Sequence, residues 1–141
     1  MKLILLVLTV CTGIISCKKN TPDFSSFWQC NNSQNLDSTS ITDKLLGSWT
    51  WTEQSCYWTG KTTKADKDIK VTFNSNTTFT VRENSAIISQ SNWKLKIVDS
   101  NMWGLDLTTP SLYLYGRLLF CNNQVLFNDS YRDGCDNLFV K

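Results

Sequence analysis

The feature that most restricts the fold is a two-residue alternation of apolar and polar side chains, repeated in short segments closed by Asn, Ser, Asp or Gly. In DIKVTF, Ile69, Val71 and Phe73 share one face, and Asp68, Lys70 and Thr72 the other. NSN then turns the chain. TTFTVRE places Phe79 and Val81 on the apolar face, and NWKLKI sets Trp93, Leu95 and Ile97 against Lys94 and Lys96. Period two belongs to the strand, whose successive side chains point to opposite sides. Read onward, the pattern predicts eight strands near 47–56, 68–74, 77–83, 86–98, 102–108, 112–121, 124–130 and 135–141. It needs no helix beyond a turn around Asp43 to Leu46. Eight short strands joined mostly by tight turns suit an all-β, eight-stranded antiparallel up-and-down barrel, because closure removes the edges that a flat sheet would expose.

The first forty residues follow another logic. Met1-Lys2 is followed by an apolar run from Leu3 to Val10 and then by Ile14-Ile15-Ser16-Cys17. A charged start, a short apolar core and small residues near a cut form a signal-peptide pattern, and the run falls short of the ~20 apolar residues a membrane span needs. Ile14-Ile15-Ser16-Cys17 resembles the lipobox of bacterial lipoproteins. That resemblance implies cleavage before Cys17, a diacylglycerol on its thiol and acylation of the new amine, so the expected membrane partner is the bilayer that holds this lipid. The expected location is the bacterial cell envelope, at the outer membrane. Residues 17–40, rich in Ser, Thr, Asn and Asp with Phe24, Phe27 and Trp28 as a short sticky segment, read as a tether, and the domain is expected from Ile41 to Lys141.

LLGSWTWTEQ, residues 45–54, resembles the first strand of a lipocalin-like domain, whose signature Gly-x-Trp is here Gly47-Ser48-Trp49 after a short helical turn. The tail YGRLLFCNNQVLFNDSYRDGCDNLFVK is similar to the closing strands of the small lipocalin-like domains of bacterial lipoproteins. The resemblance covers residues 45–141. It implies an eight-stranded barrel with Trp49 plugging the closed end, and a binding cavity as the family's habit. An arginine stacked over the signature tryptophan would be Arg117 or Arg132, or would be missing. The family's Thr-Asp-Tyr-type loop motif is not evident.

Barrel topology restricts the cysteines. With Cys11 in the signal and Cys17 lipidated, Cys30, Cys56, Cys121 and Cys135 remain, and an even number in an exported chain argues for bridges. If the last two hairpins turn at Asn122-Asn123 and at Tyr131 to Gly134, a strand's length separates Cys121 from Cys135, too far for a bridge, whose Cα atoms lie within ~7 Å. The first strand runs beside the last in a closed barrel. Cys56 therefore meets Cys135, and Cys30 reaches back to Cys121. A tetrathiolate metal site is the rival, though no Cys-x-x-Cys element supports it.

Chemistry has few candidates. The chain has no histidine, which removes the usual activation of Ser or Cys nucleophiles. Phosphate-cradling glycine loops are also missing. Taking Lys2 away with residues 1–16 leaves the 12 acids almost matched by bases, so no nucleic-acid footprint exists. Lys61, Lys64, Lys67 and Lys70 read as a solvated edge. If alternation continues from Trp49 through Trp51, Glu53 points inward. A bulge would instead turn Glu53 to solvent. Asp106, between Leu105 and Leu107, reads as outward. No enzyme and no cofactor are expected.

The candidate ligand wall is Trp51, Glu53, Phe73, Phe79 and Trp93, although small barrels commonly fill such positions with core. Trp58 and Trp103, near strand ends, are candidates for a recognition surface. Three function classes follow: a barrel carrying a small apolar or amphipathic ligand, a packed barrel acting through its loops on another envelope protein, and, least expected, a hydrolase. An open cavity of ~300 Å³ or more favours the first, and a filled interior the second.

Overall fold

The computed structural model describes residues 24–99 and 101–141. The signal peptide, Cys17 and the first part of the tether lie outside the described residues. Two short helices, α1 (Ser25–Asn32) and α2 (Ser38–Leu45), precede nine strands: β1 (Gly47–Cys56), β2 (Lys61–Lys64), β3 (Ile69–Phe73), β4 (Thr78–Glu83), β5 (Ala86–Asp99), β6 (Met102–Leu107), β7 (Arg117–Cys121), β8 (Gln124–Asn128) and β9 (Cys135–Val140). β1 pairs antiparallel with both β2 and β3, each strand from β3 to β8 pairs antiparallel with the next, and β9 returns to β1. β2 and β3 lie end to end along one edge of β1, β2 against Glu53 to Cys56 and β3 against Gly47 to Thr50. They form one interrupted stave. The wall is therefore a closed, eight-stave antiparallel barrel, as the alternation predicts.

Turn chemistry fixes the hairpins. Asn84 and Ser85 both take positive φ, 48° and 72°, the two-residue turn whose twist matches that of its flanking strands. Asn122 at φ 52° turns β7 into β8. Strand β2 was not foreseen, because KTTK lacks an apolar face, and β7 begins at Arg117 rather than residue 112. Residues 108–116 instead form a loop that folds inward, burying Leu114 and Ser111. The β6–β7 seam is narrow, with Gly104 opposite Arg117 as its paired position. A Cβ on Gly116, whose φ is +91°, would lie 2.0 Å from the Asn128 carbonyl oxygen. Only glycine permits that approach.

The helices correct the tether reading. Residues 24–40 fold against the barrel rather than trail from it. α2 starts on an N-cap in which Asp37 accepts from the Ser40 N–H at 2.8 Å. Hydrogen bonding to Ser40, through its side chain first and its backbone N–H second, holds the Asp37 carboxyl below its usual pKa. Ile41 and Leu45 of α2 enter the barrel's core at the end where β1 begins. α1 lies on the outside of the wall, where Phe27 covers Leu119 and Leu126, with Trp28 and Leu138 at the margin of this second cluster. Phe24, Phe27 and Trp28 are thus an external core and not part of a linker.

Two disulfides tie these layers: Cys30–Cys121 joins α1 to the end of β7, and Cys56–Cys135 joins β1 to β9 at the opposite end. The topological pairing holds, and the bridges take the thiolates that a metal site would need.

Candidate functional site

Trp49 is seated by three neighbours. Its indole N–H donates to the Leu45 carbonyl at 2.7 Å, and Phe120 lies 6.4 Å from it, centroid to centroid. Over its face stands Lys141, whose Nζ is 4.8 Å from the ring centroid and donates to the Lys44 carbonyl at 2.9 Å. A lysine therefore occupies the place for which Arg117 and Arg132 were the candidates. Arg117 lies elsewhere, over the rings of Trp28 and Tyr131 and ion-paired with Asp99. Arg132 pairs with Asp129.

Phe73, Phe79 and Trp93 pack on one another rather than around a space. Phe73 is 6.3 Å from Phe79 and meets Trp93 edge-on at 5.5 Å, while the Trp93 N–H donates to the Thr78 carbonyl at 3.1 Å. All three are buried, and they belong to one continuous cluster with Trp49, Trp51, Val71, Val81 and Phe139. These candidate ligand residues are core.

At the other end, Trp51 meets Tyr113 edge-on at 5.3 Å. Tyr113 and Leu114 come from the loop between β6 and β7, so that loop closes the end opposite α2. Burial is the main cause that raises the Tyr113 phenol above its usual pKa; the charge of Glu83 adds to it and that of Lys67 opposes it. Just beyond Trp51, Gln54 donates to the Asn137 side-chain oxygen at 3.0 Å. Asn137 pairs with Phe127 and shares its inward face, so a polar layer stands where a ligand's mouth would be. The Trp51 N–H is buried without an acceptor from the protein.

Glu53 is a correction. The β1–β9 register passes from Trp51↔Phe139 to Glu53↔Leu138, which leaves Thr52 as an extra residue on β1. Paired residues share a face, and Leu138 belongs to the cluster outside the wall. The bulge therefore puts Glu53 outside. The gap between β2 and β3 lies beside the same residue, and the Ala65 N–H bridges it by donating to the Thr52 carbonyl at 2.8 Å. Alternation through GSWTWTEQ cannot reveal such an insertion.

Asp106, Asp136 and Glu83 are held in local ion pairs and hydrogen bonds. Asp106 points outward as expected; a hydrogen bond from Lys94, helped by the charges of Lys94 and Lys96, lowers its pKa. Asp136, buried, accepts from the Asn128 amide, from the backbone N–H of Asp129 and Ser130, and from the Ser130 hydroxyl. It organises the turn between β8 and β9. Lys67 pairs with Glu83, and that partner raises the lysine's pKa. Lys61, Lys64 and Lys70 are exposed, in keeping with a solvated edge.

The surface includes a cleft of about 530 Å³ along Asn92, Lys94, Asp106 and Thr108, bordered by Trp93, and two further tryptophan sites. Trp58 is 73 % exposed, stands edge-on to Tyr57 and donates to the Asp133 carbonyl. Trp103 borders a cleft of about 280 Å³ with Asn31, Asn32, Asn35, Leu36 and Asn101, at the end where α2 packs. Among the described residues no three His, Cys, Asp or Glu side chains gather in a metal-binding group. Comparison of the chain with protein-family models, curated proteins and solved structures returned no match.

Proposed function

We propose that this chain is a lipid-anchored protein of the bacterial cell envelope, lipocalin-like in build, that acts through its surface as an accessory or inhibitory partner of another envelope protein. One observation carries the choice: the barrel is filled by its own side chains. Trp49, Phe73, Phe79, Val81, Trp93, Leu114 and Phe139 are all at most 3 % exposed and in one cluster, and the loop bearing Tyr113 and Leu114 closes the end at which a carrier would open. Packed interiors resemble organic crystals in density and hold few voids larger than a water. Recognition is then left to the outer surface, where the small amide-rich cleft beside Trp103 suits a protein partner.

The carrier reading has one observation on its side, the unpartnered Trp51 N–H beneath a loop that a ligand could displace. The two readings separate on protein purified from its own membranes. Mass spectrometry under native and denaturing conditions weighs both the acyl chains on Cys17 and any retained molecule. We expect acylated Cys17 and an otherwise empty protein. A stoichiometric small molecule released only on denaturation would overturn the surface reading, and a bare Cys17 would overturn the anchor.

A further inference from the structure

Up-and-down topology sends the connections alternately to the two ends of the barrel. Those after β1, β4, β6 and β8 share one end, and those after β3, β5 and β7 share the other. The ends differ in chemistry. The first carries Tyr57 and Trp58, 65 and 73 % exposed, after β1, Ile87 and Ile88 just after the Asn84-Ser85 turn, and Leu112, 82 % exposed, in the loop between β6 and β7. The second offers Asn74, Ser75 and Asn76, then Asn101, then Asn122 and Asn123. Ile97, 51 % exposed, stands near the second end, but most of the large exposed apolar side chains gather on the first, and such a gathering marks a contact surface.

The chain itself indicates what that surface touches. Phe24, the first described residue, shares a cleft with Cys56, Tyr57 and Gly60, so the segment that leads to Cys17 leaves from the apolar end. Phe24 follows Cys17 by seven residues. At most ~3.6 Å per extended residue holds this end within ~25 Å of the acylated thiol. Trp58 suits an interface for a further reason: its N–H is taken by the Asp133 carbonyl, and Tyr57 props its edge, which leaves a fixed ring facing out. Tryptophan and tyrosine concentrate at the headgroup level of bilayers. Nearby charge is balanced, with Lys61 and Arg132 set against Asp129 and Asp133, so the contact does not require anionic lipid.

We propose that this end is a membrane-docking face: Tyr57, Trp58 and Leu112 seat in the headgroup region of the bilayer that holds the Cys17 lipid, and the asparagine-rich end with the Trp103 cleft faces away. The inference rests on the lipid-anchor reading of Cys17. It orients the barrel and leaves the far end for the partner.

The test uses the full, membrane-extracted protein reconstituted into phosphatidylcholine vesicles whose acyl chains are brominated near the headgroup. Wild type is compared with Trp58→Ser and with Trp103→Phe, and mass spectrometry of the same samples reads the acyl chains on Cys17. The emission component lost in Trp58→Ser should be quenched about twofold or more by the bromolipid, because a docked indole lies at that depth, and the component lost in Trp103→Phe should not. Trp58 is exposed and Trp103 half-buried against the core, and an unchanged near-ultraviolet circular dichroism spectrum controls for folding. Acylated Cys17 with unquenched Trp58 overturns the docking face alone; bare Cys17 overturns the anchor and the face together. A Trp58 unquenched in vesicles yet shielded from acrylamide in intact cells assigns the face to a protein partner or a second copy, and also overturns the proposal.

Discussion

At the scale of single residues, Thr52 separates the two readings of Glu53, because one inserted residue exchanges the faces of everything that follows it on β1. Glu53→Gln should change stability by no more than ~0.5 kcal/mol, as surface substitutions do; a loss several times larger in chemical denaturation would place the carboxylate in the core after all. Trp49→Ala should cost ~3 to 5 kcal/mol, since it empties a buried site and frees the Leu45 carbonyl. Lys141→Met should cost ~1 kcal/mol or less, the usual scale of a cation over an aromatic face at a partly exposed site. The burial of Trp49 and Trp51 was legible in the sequence through their alternation. Lys141 was not. A terminal lysine carries no local signal, and only the closure of β9 against β1 brings it over the indole.

Among the elements, the strands with a clean apolar face, β3 and β4, were legible because one buried side imposes the alternation; in β5 only Trp93 is buried, Leu95 is half-buried, and Ile97, expected beside them, is exposed. The loop between β6 and β7 was not, since its leucines and tyrosines imitate a strand while Leu114 and Tyr113 turn inward as a stopper. Helix α1 was hidden by polar composition, its burial resting on Phe27 and on Cys30. Replacing Cys30 and Cys121 together by serine should cost ~2 to 4 kcal/mol; hydrogen exchange should rise in α1 while β3 and β4 keep their protection. Equal loosening of both would contradict an external α1. The stopper loop predicts a pH dependence. Burial raises the Tyr113 phenol, so its neutral form is the one favoured in the fold. That stabilisation is complete below the unfolded value of ~10 and is lost as pH rises through the higher folded value. Tyr113→Phe should flatten the alkaline fall in melting temperature, and an unchanged fall in that variant would remove Tyr113 as its source.

For the molecule as a whole, the cysteines, strand count and closure were readable together because each limits the others: the bridges Cys30–Cys121 and Cys56–Cys135 fit only a wall in which the first strand meets the last. Whether the interior is open was not readable, since Trp49, Trp51, Phe73, Phe79 and Trp93 could line a cavity or fill it, and only their mutual contacts decide. The surface-acting role depends on that filled interior. It is tested most directly by following the indole N–H resonances of Trp49, Trp51 and Trp93 in the isotope-labelled protein while envelope lipids, bile-type amphiphiles and glycans are added. The packed barrel predicts that these three signals stay in place. A saturable shift of Trp51 and Trp93, with Tyr113 and Leu114 moving in step, would contradict it and return the barrel to the role of a carrier.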